Sequence, residues 1–227
     1  MPSVTHPERL VGLHFFNPVH RMPLVEVVQC HSTSDRTLQA AVSLTQALGK
    51  TPVVVKDAPG FLVNRVLVPY IIEAGHLFAS GHDPHEIDEA MLNAGMPMGP
   101  LRLLDEVGLD VGLHVAKTLA DAFPDRVKIP EMLQTLVDEG HLGRKAGKGI
   151  FLYNKKSQQK LPINSAAKKL QANQPKPVDI SAVLIRNMVE EAERCLDEGI
   201  VDSAANANLA MILGTGYAPF SGGPLEW

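Results

Sequence analysis

Cysteine is nearly missing from this 227-residue chain: Cys30 and Cys195 are the only two. They stand too far apart for metal-ligand spacing and read as reduced thiols, so no disulfide framework and no metal are expected. No apolar run approaches the roughly 20 residues of a membrane helix. The longest, Val66–Ile72, contains a proline, so no membrane span is expected. The opening Met1-Pro-Ser-Val-Thr-His-Pro7 has no hydrophobic secretion core, which makes the cytoplasm the expected location. There is no excess of positive charge: 21 Lys and Arg face 25 Asp and Glu, a net −4 that argues against nucleic acid as the main partner. A local basic cluster, His141–Lys148, leaves contact with a phosphate open there alone. The glycine-rich G-x-G-x-x-G spacing does not occur. Gly147-Lys-Gly149 and Gly214-Thr-Gly216 are the only G-x-G pairs, and neither has glycine three residues later.

What is present is ordinary globular material, 45% hydrophobic and 20% charged, enough for one large or two modest domains. Short β-branched or aromatic runs at 10–16, 24–28 and 51–56 read as buried strands. Between the last two, Ser34–Lys50 reads as a helix with Ser34 as N-cap, Leu38, Val42, Leu44 and Leu48 as its apolar face, and Gly49 ending it. Beyond Pro59 the pattern turns helical to about Leu119, broken at Gly81-His-Asp-Pro84 and at Gly99-Pro100. Shorter helices and loops fill 124–150, a polar linker around one short helix covers 154–178, and a second helical block fills 179–227. The expected fold is therefore mainly α with a small α/β N-terminal part.

The last block looks like a second copy of the first helical unit. Glu73-Ala74 matches Glu191-Ala192 and Gly81 matches Gly199 at an offset of 118, Ala90-Met91 matches Ala210-Met211 at 120, and Gly99-Pro100 matches Gly223-Pro224 at 124. Only the first copy keeps a polar opening, since Ala182 stands opposite Asn64 and Val178 opposite Gly60.

Polar residues stand out where apolar ones are the rule. His14 closes one strand and Glu26, flanked by Leu24, Val25, Val27 and Val28, lies inside the next. The turn through Asn17-Pro18 would set them on neighbouring strands. A buried carboxylate needs a partner, and an imidazole is a natural one. Such a carboxylate fixes the ring tautomer and leaves the other nitrogen as a general base; a hydrogen-bonded structural histidine is the other reading. Asn64 follows the turn Asp57-Ala-Pro-Gly60 into a helix, where its amide can reach a substrate oxygen or simply face solvent.

His14-Phe-Phe-Asn17-Pro-Val19, Pro23-Leu-Val-Glu26 and Asp57-Ala-Pro-Gly-Phe-Leu-Val-Asn64-Arg65 together resemble the 3-hydroxyacyl-CoA dehydrogenases. Pro97-Met-Gly-Pro-Leu-Arg-Leu-Leu-Asp105 and Gly143-Arg-Lys-Ala-Gly-Lys-Gly149 are similar to that family's helical domain, and Gly214–Glu226 to the tandem copy of the multifunctional fatty-acid oxidation α-subunit. The resemblance implies His14 as catalytic base, Glu26 as its orienting carboxylate, and Asn17 and Asn64 as substrate contacts. It implies NAD as cofactor and 3-hydroxyacyl-CoA and 3-ketoacyl-CoA as substrate and product. As partners it implies a homodimer, or an assembly with a missing N-terminal half and a thiolase subunit. The fold it implies is a truncated Rossmann-type sheet fragment (1–57), a first helical dehydrogenase domain (58–153), a linker (154–178) and a second helical copy (179–227).

The departure is that only eleven residues precede Gly12, so no glycine-rich cofactor-binding residues are identified in this chain, and the family's active-site serine is absent too. Gly143–Lys148 is one residue short of a phosphate loop and reads as a structural turn. The chain alone is therefore expected to be inactive although its module is a dehydrogenase. A non-catalytic helical assembly or dimerisation module, and an acyl-CoA binder, remain as other readings.

Overall fold

The computed structural model describes residues 4–153, 161–173 and 175–227. They form two compact units, one of 4–65 with 189–227 and the other of 66–188. The order of elements is β1 (Gly12–Phe15), β2 (Leu24–Gln29), α1 (Asp35–Ala47), β3 (Thr51–Lys56), α2 (Val63–Ala79), α3 (Pro84–Asn93), α4 (Pro100–Val107), α5 (Leu109–Ala122), α6 (Glu131–Asp138), α7 (Ser165–Lys168), α8 (Ile180–Asp197) and α9 (Ala204–Thr215).

In the first unit the strands make one sheet in the order β1-β2-β3. β1 runs antiparallel to β2, with His14 directly opposite Glu26, and β2 runs parallel to β3. Leu24, Val25, Val27 and Val28 of β2 are buried, as a central strand covered on both faces requires. Ser34 caps α1, its Oγ accepting from Thr37 N. The buried face of α1 differs from the expected one: Ala41 and Thr45 are buried, whereas Leu44 and Leu48 are exposed. Residues 38, 41, 42 and 45 follow the 3.6-residue period, and Leu44 and Leu48 fall off that stripe. α9 comes against the sheet at Gly214, where an added Cβ would lie 2.9 Å from Leu24 Cδ2 and 3.2 Å from Val63 Cγ2. Only a residue without a side chain lets the helix so close.

The second unit is helical, and one of its clusters buries Val68, Ile72, Ala116, Leu119 and Val127. Buried carboxylates fasten its elements. Asp88 accepts from Leu101 N and Arg102 N, at the start of α4. Asp105 accepts from Ile150 N, Phe151 N and the Tyr153 hydroxyl. The described part of 161–173 is tied in as well: Asn164 Nδ2 donates to Gly149 O, and Gln171 Nε2 to Phe78 O and His82 O. Residues 154–160 and 174 of the expected linker lie outside the described residues.

The positions paired at offsets of 118 to 124 carry similar local hydrogen bonds. Gly81 N and His82 N donate to Phe78 O and Leu77 O; Gly199 N and Ile200 N donate to Leu196 O and Cys195 O. Both are helix ends closed by a left-handed glycine. Asp83 then caps α3 and Ser203 caps α9. Asp88 Oδ1 accepts from Leu101 N at 2.9 Å just past Gly99-Pro100, and Asn208 Oδ1 accepts from Leu225 N at 2.8 Å just past Gly223-Pro224. An added Cβ would stand 2.3 Å from Asp88 Cβ at Gly99 and 2.4 Å from Asn208 Cβ at Gly223.

Candidate active site

The antiparallel register decides the first contact. Side chains directly opposite on such a pair project from the same face within reach of one another. His14 Nδ1 stands 2.6 Å from Glu26 Oε2, with the imidazole 28% exposed and the carboxylate fully buried. A carboxylate oxygen can only accept, so Nδ1 carries the shared proton and Nε2 keeps its lone pair. The ring is wedged between aromatic neighbours, 4.6 Å from Phe16 and 5.5 Å from Phe61 between centroids.

The other carboxylate oxygen has partners that sequence reasoning missed. Glu26 Oε1 accepts from Leu62 N at 3.0 Å and Val63 N at 2.9 Å. These are orphan amides at the start of α2, where the helix dipole also favours an anion. A signal was available: Leu62 occupies the N-cap position and cannot cap, so the amides of α2 had to find an acceptor elsewhere. With three hydrogen bonds the buried carboxylate is satisfied.

Asn64 lies one residue beyond these amides, half-buried, and its side-chain amide makes no hydrogen bond among the described residues. Asn17 is exposed in the turn after β1 and likewise makes none. The structure thus joins His14 to Glu26, puts Asn64 on the helical turn that holds Glu26, and leaves Asn17 apart from that hydrogen-bond set.

Beside the imidazole is a cleft of 350 Å³ whose walls include Leu13, His14, Val28, Cys30, Asp57 and Phe61. That size falls within the roughly 300–1,000 Å³ of ligand pockets. A larger cavity of 410 Å³ in the second unit has Asp88 and Arg102 among its walls. The Asp88 carboxylate is spent on two backbone amides and the Arg102 guanidinium on Glu106; His85 and Glu89 also line the cavity. The basic cluster is likewise structural: Arg144 pairs with Glu106, Lys145 with Asp110, and Gly143 and Lys148 close the turn between them.

In α/β sheets a dinucleotide's pyrophosphate rests on free amides at a strand-to-helix turn. Of the helices that follow β2 and β3, α2 has two of its first amides taken by Glu26, while at the start of α1 the Ser34 hydroxyl takes one, that of Thr37.

An α/β sheet fragment carrying a carboxylate-held histidine, followed by helices, defines the class as a small α/β part joined to helical material with a histidine–carboxylate pair on its sheet. Comparison with known proteins makes this specific. Residues 60–153 match the 3-hydroxyacyl-CoA dehydrogenase C-terminal domain, and residues 1–58 match the NAD binding domain of the same family. The chain belongs to the 3-hydroxyacyl-CoA dehydrogenase family. It is 41% identical over 222 residues to the fatty acid oxidation complex subunit alpha of Vibrio parahaemolyticus, covering 97% of this chain and 32% of that protein. To the same subunit of Acinetobacter baylyi it is 42% identical over 237 residues, covering 99% and 33%. The chain thus spans about a third of the length of the curated relatives it matches. Among solved structures it resembles 3-hydroxybutyryl-CoA dehydrogenase from Escherichia coli, with a TM-score of 0.81 at 28% identity over 100% of this chain and 64% of that one. It also resembles (S)-3-hydroxybutyryl-CoA dehydrogenase from Ralstonia eutropha, with a TM-score of 0.65 at 43% identity over 67% of this chain and 55% of that one. No described helix is long and apolar enough to cross a membrane.

Proposed function

We propose that this chain carries the acid–base part of a 3-hydroxyacyl-CoA dehydrogenase of fatty-acid β-oxidation, the enzyme type that converts L-3-hydroxyacyl-CoA and NAD to 3-ketoacyl-CoA and NADH. The observation that carries the reading is the 2.6 Å contact between His14 Nδ1 and Glu26 Oε2. His14 Nε2 takes the proton of the substrate's 3-hydroxyl group, and Glu26 stabilises the imidazolium that results, a role worth on the order of 10²–10⁴ in rate. Asn64 holds the reacting oxygen, and Asn17 is a further substrate contact.

With no G-x-G-x-x-G spacing in its sequence, the chain alone forms no measurable NADH. Residues 1–57 serve as the sheet side of the site, 58–153 as the first helical domain, 154–178 as the connection and 179–227 as the second copy. The working enzyme is cytoplasmic and needs a glycine-rich cofactor-binding half besides these residues, as a homodimer or in assembly with a thiolase partner.

Calorimetry with acetoacetyl-CoA tests the site, read together with the His14 ring resonances. Heat of binding with a shift at Nε2 supports it. No heat and no shift would leave the non-catalytic assembly reading, for which the exposed Phe220 and Trp227 speak. NADH consumption by the purified chain with acetoacetyl-CoA would overturn its inactivity.

A further inference from the structure

The amides that hold Glu26 belong to a turn that does not hold itself. Gly60 and Phe61 both have positive φ, 77° and 48°. For phenylalanine that backbone is strained and persists only where the surroundings impose it. On one side the turn is pinned by Glu26. On the other it is pinned by Arg65, whose residue is 1% exposed. Arg65 Nε donates to Glu191 Oε1 at 2.8 Å, and its Nη2 pairs with Glu198 Oε2 at 2.8 Å. Arg194 donates in turn to Glu191 Oε2 at 2.9 Å. Both glutamates lie in the second helical copy, Glu191 on α8 and Glu198 just past its end.

We propose that Arg65, Glu191 and Glu198 form a positioning cluster: through it the second helical copy fixes the first turn of α2, and with it the Glu26 carboxylate and the tautomer and aim of His14. The inference rests on the acid–base role proposed for His14. A buried ion pair is a poor source of stability, because desolvation offsets its attraction, and apolar residues of similar volume often hold a fold as well. What the guanidinium adds is direction, since its planar fork accepts only one rotation of the helix that carries it. The cluster is also no general feature of the repeat. Glu73, which matches Glu191 in the first copy, makes no ion pair among the described residues, and the position matching Arg65 is Val183. The pairing exists only where the dyad does.

The test uses the full chain and the double variant Arg65→Met/Glu191→Met, which removes both charges and keeps the volume. Hydrogen exchange at the Leu62 and Val63 amides should rise about tenfold relative to the amides of β2. Nitrogen NMR should show the Nε2–H tautomer of His14 appearing beside Nδ1–H. A folded variant with an unchanged exchange ratio and tautomer overturns the proposal, and so does a uniform rise over β2 and α2, which marks a merely structural role. Should the double variant not fold, Glu198→Gln, at the 37%-exposed end of the cluster, is read the same way. A rise of about threefold at the same two amides is expected, and no change overturns the proposal. Neither measurement uses substrate, so failure here is distinct from failure of the acid–base reading, which the acetoacetyl-CoA titration decides.

Discussion

Exchanging Glu26 for glutamine changes no volume and one chemical property, and its consequences can be worked out atom by atom. The side chain is fully buried between His14 Nδ1 on one oxygen and the Leu62 and Val63 amides on the other. A glutamine must keep its carbonyl oxygen toward the two amides, since turning the NH₂ group there would set donor against donor. The NH₂ group then faces His14 and can only donate, so the imidazole proton moves to Nε2. Every hydrogen bond is kept in number, and three charge-assisted bonds become neutral ones, partly offset by the smaller cost of burying an amide, for a net loss of about 1–2 kcal/mol. For a chain of this length that lowers the melting temperature by roughly 2–8 °C. Glu26→Ala instead leaves two buried amides without an acceptor and should cost about 3–5 kcal/mol. Thermal denaturation followed by circular dichroism ranks the two variants, and nitrogen NMR reads the ring. Persistence of the Nδ1–H tautomer in Glu26→Gln, or equal destabilisation by the two substitutions, would refute the reasoning.

Burial pushes the Asp88 carboxyl up to about 7 against the pull of the Leu101 and Arg102 amides, and the Asp105 carboxyl up to about 6 against those of Phe151 and Ile150. Between the ordinary carboxyl value and these raised ones the folded chain binds more protons than the unfolded one, so the contribution of both groups to stability falls as pH rises through that window. Asp88→Asn should flatten that part of the stability profile in denaturant titrations across pH; an unaltered slope would count against a buried titrating group there. Gly99→Ala and Gly223→Ala drive a Cβ into Asp88 and Asn208 respectively, and each should cost on the order of 1–3 kcal/mol in the same titrations; wild-type stability in either variant would count against the close approach.

Much of the site was legible because its parts are close in sequence. His14 and Glu26 are joined by one turn, and a glutamate among four aliphatic residues of a strand announces a buried charge that needs a partner. The glycine-closed helix ends at Gly81 and Gly199 and the caps at Ser34 and Asp83 depend on neighbours a few residues away. What escaped notice is long-range. The partner of Arg65 lies 126 residues on and is one of several glutamates on an otherwise solvent-patterned helix. Leu44 and Leu48 looked like core by type, yet helical phase, not type, decides which residues of α1 face the sheet.

Four buried side chains do one job in this chain: Glu26, Asp88, Asp105 and Asn208 each accept from backbone amides at the start of a later segment. Such acceptors answer amides that helix geometry leaves without intrahelical partners, and an anion gains further from the dipole when the segment is a helix. Asn208 shows that the scaffold needs an acceptor oxygen and not a charge, since it serves Leu225 as Asp88 serves Leu101. Glu26 differs from Asn208 in one respect that matters for chemistry. Its second oxygen is turned to an imidazole, where only an anionic acceptor can both fix the Nδ1–H tautomer and stabilise the charge that proton uptake at Nε2 creates. In the function proposed above, the site is a structural anchor with one oxygen turned to the acid–base step. The same logic separates the two substitutions: Glu26→Ala strips the acceptor from the helix that carries Asn64, whereas Glu26→Gln keeps an oxygen on the Leu62 and Val63 amides and changes chiefly the bond to the imidazole.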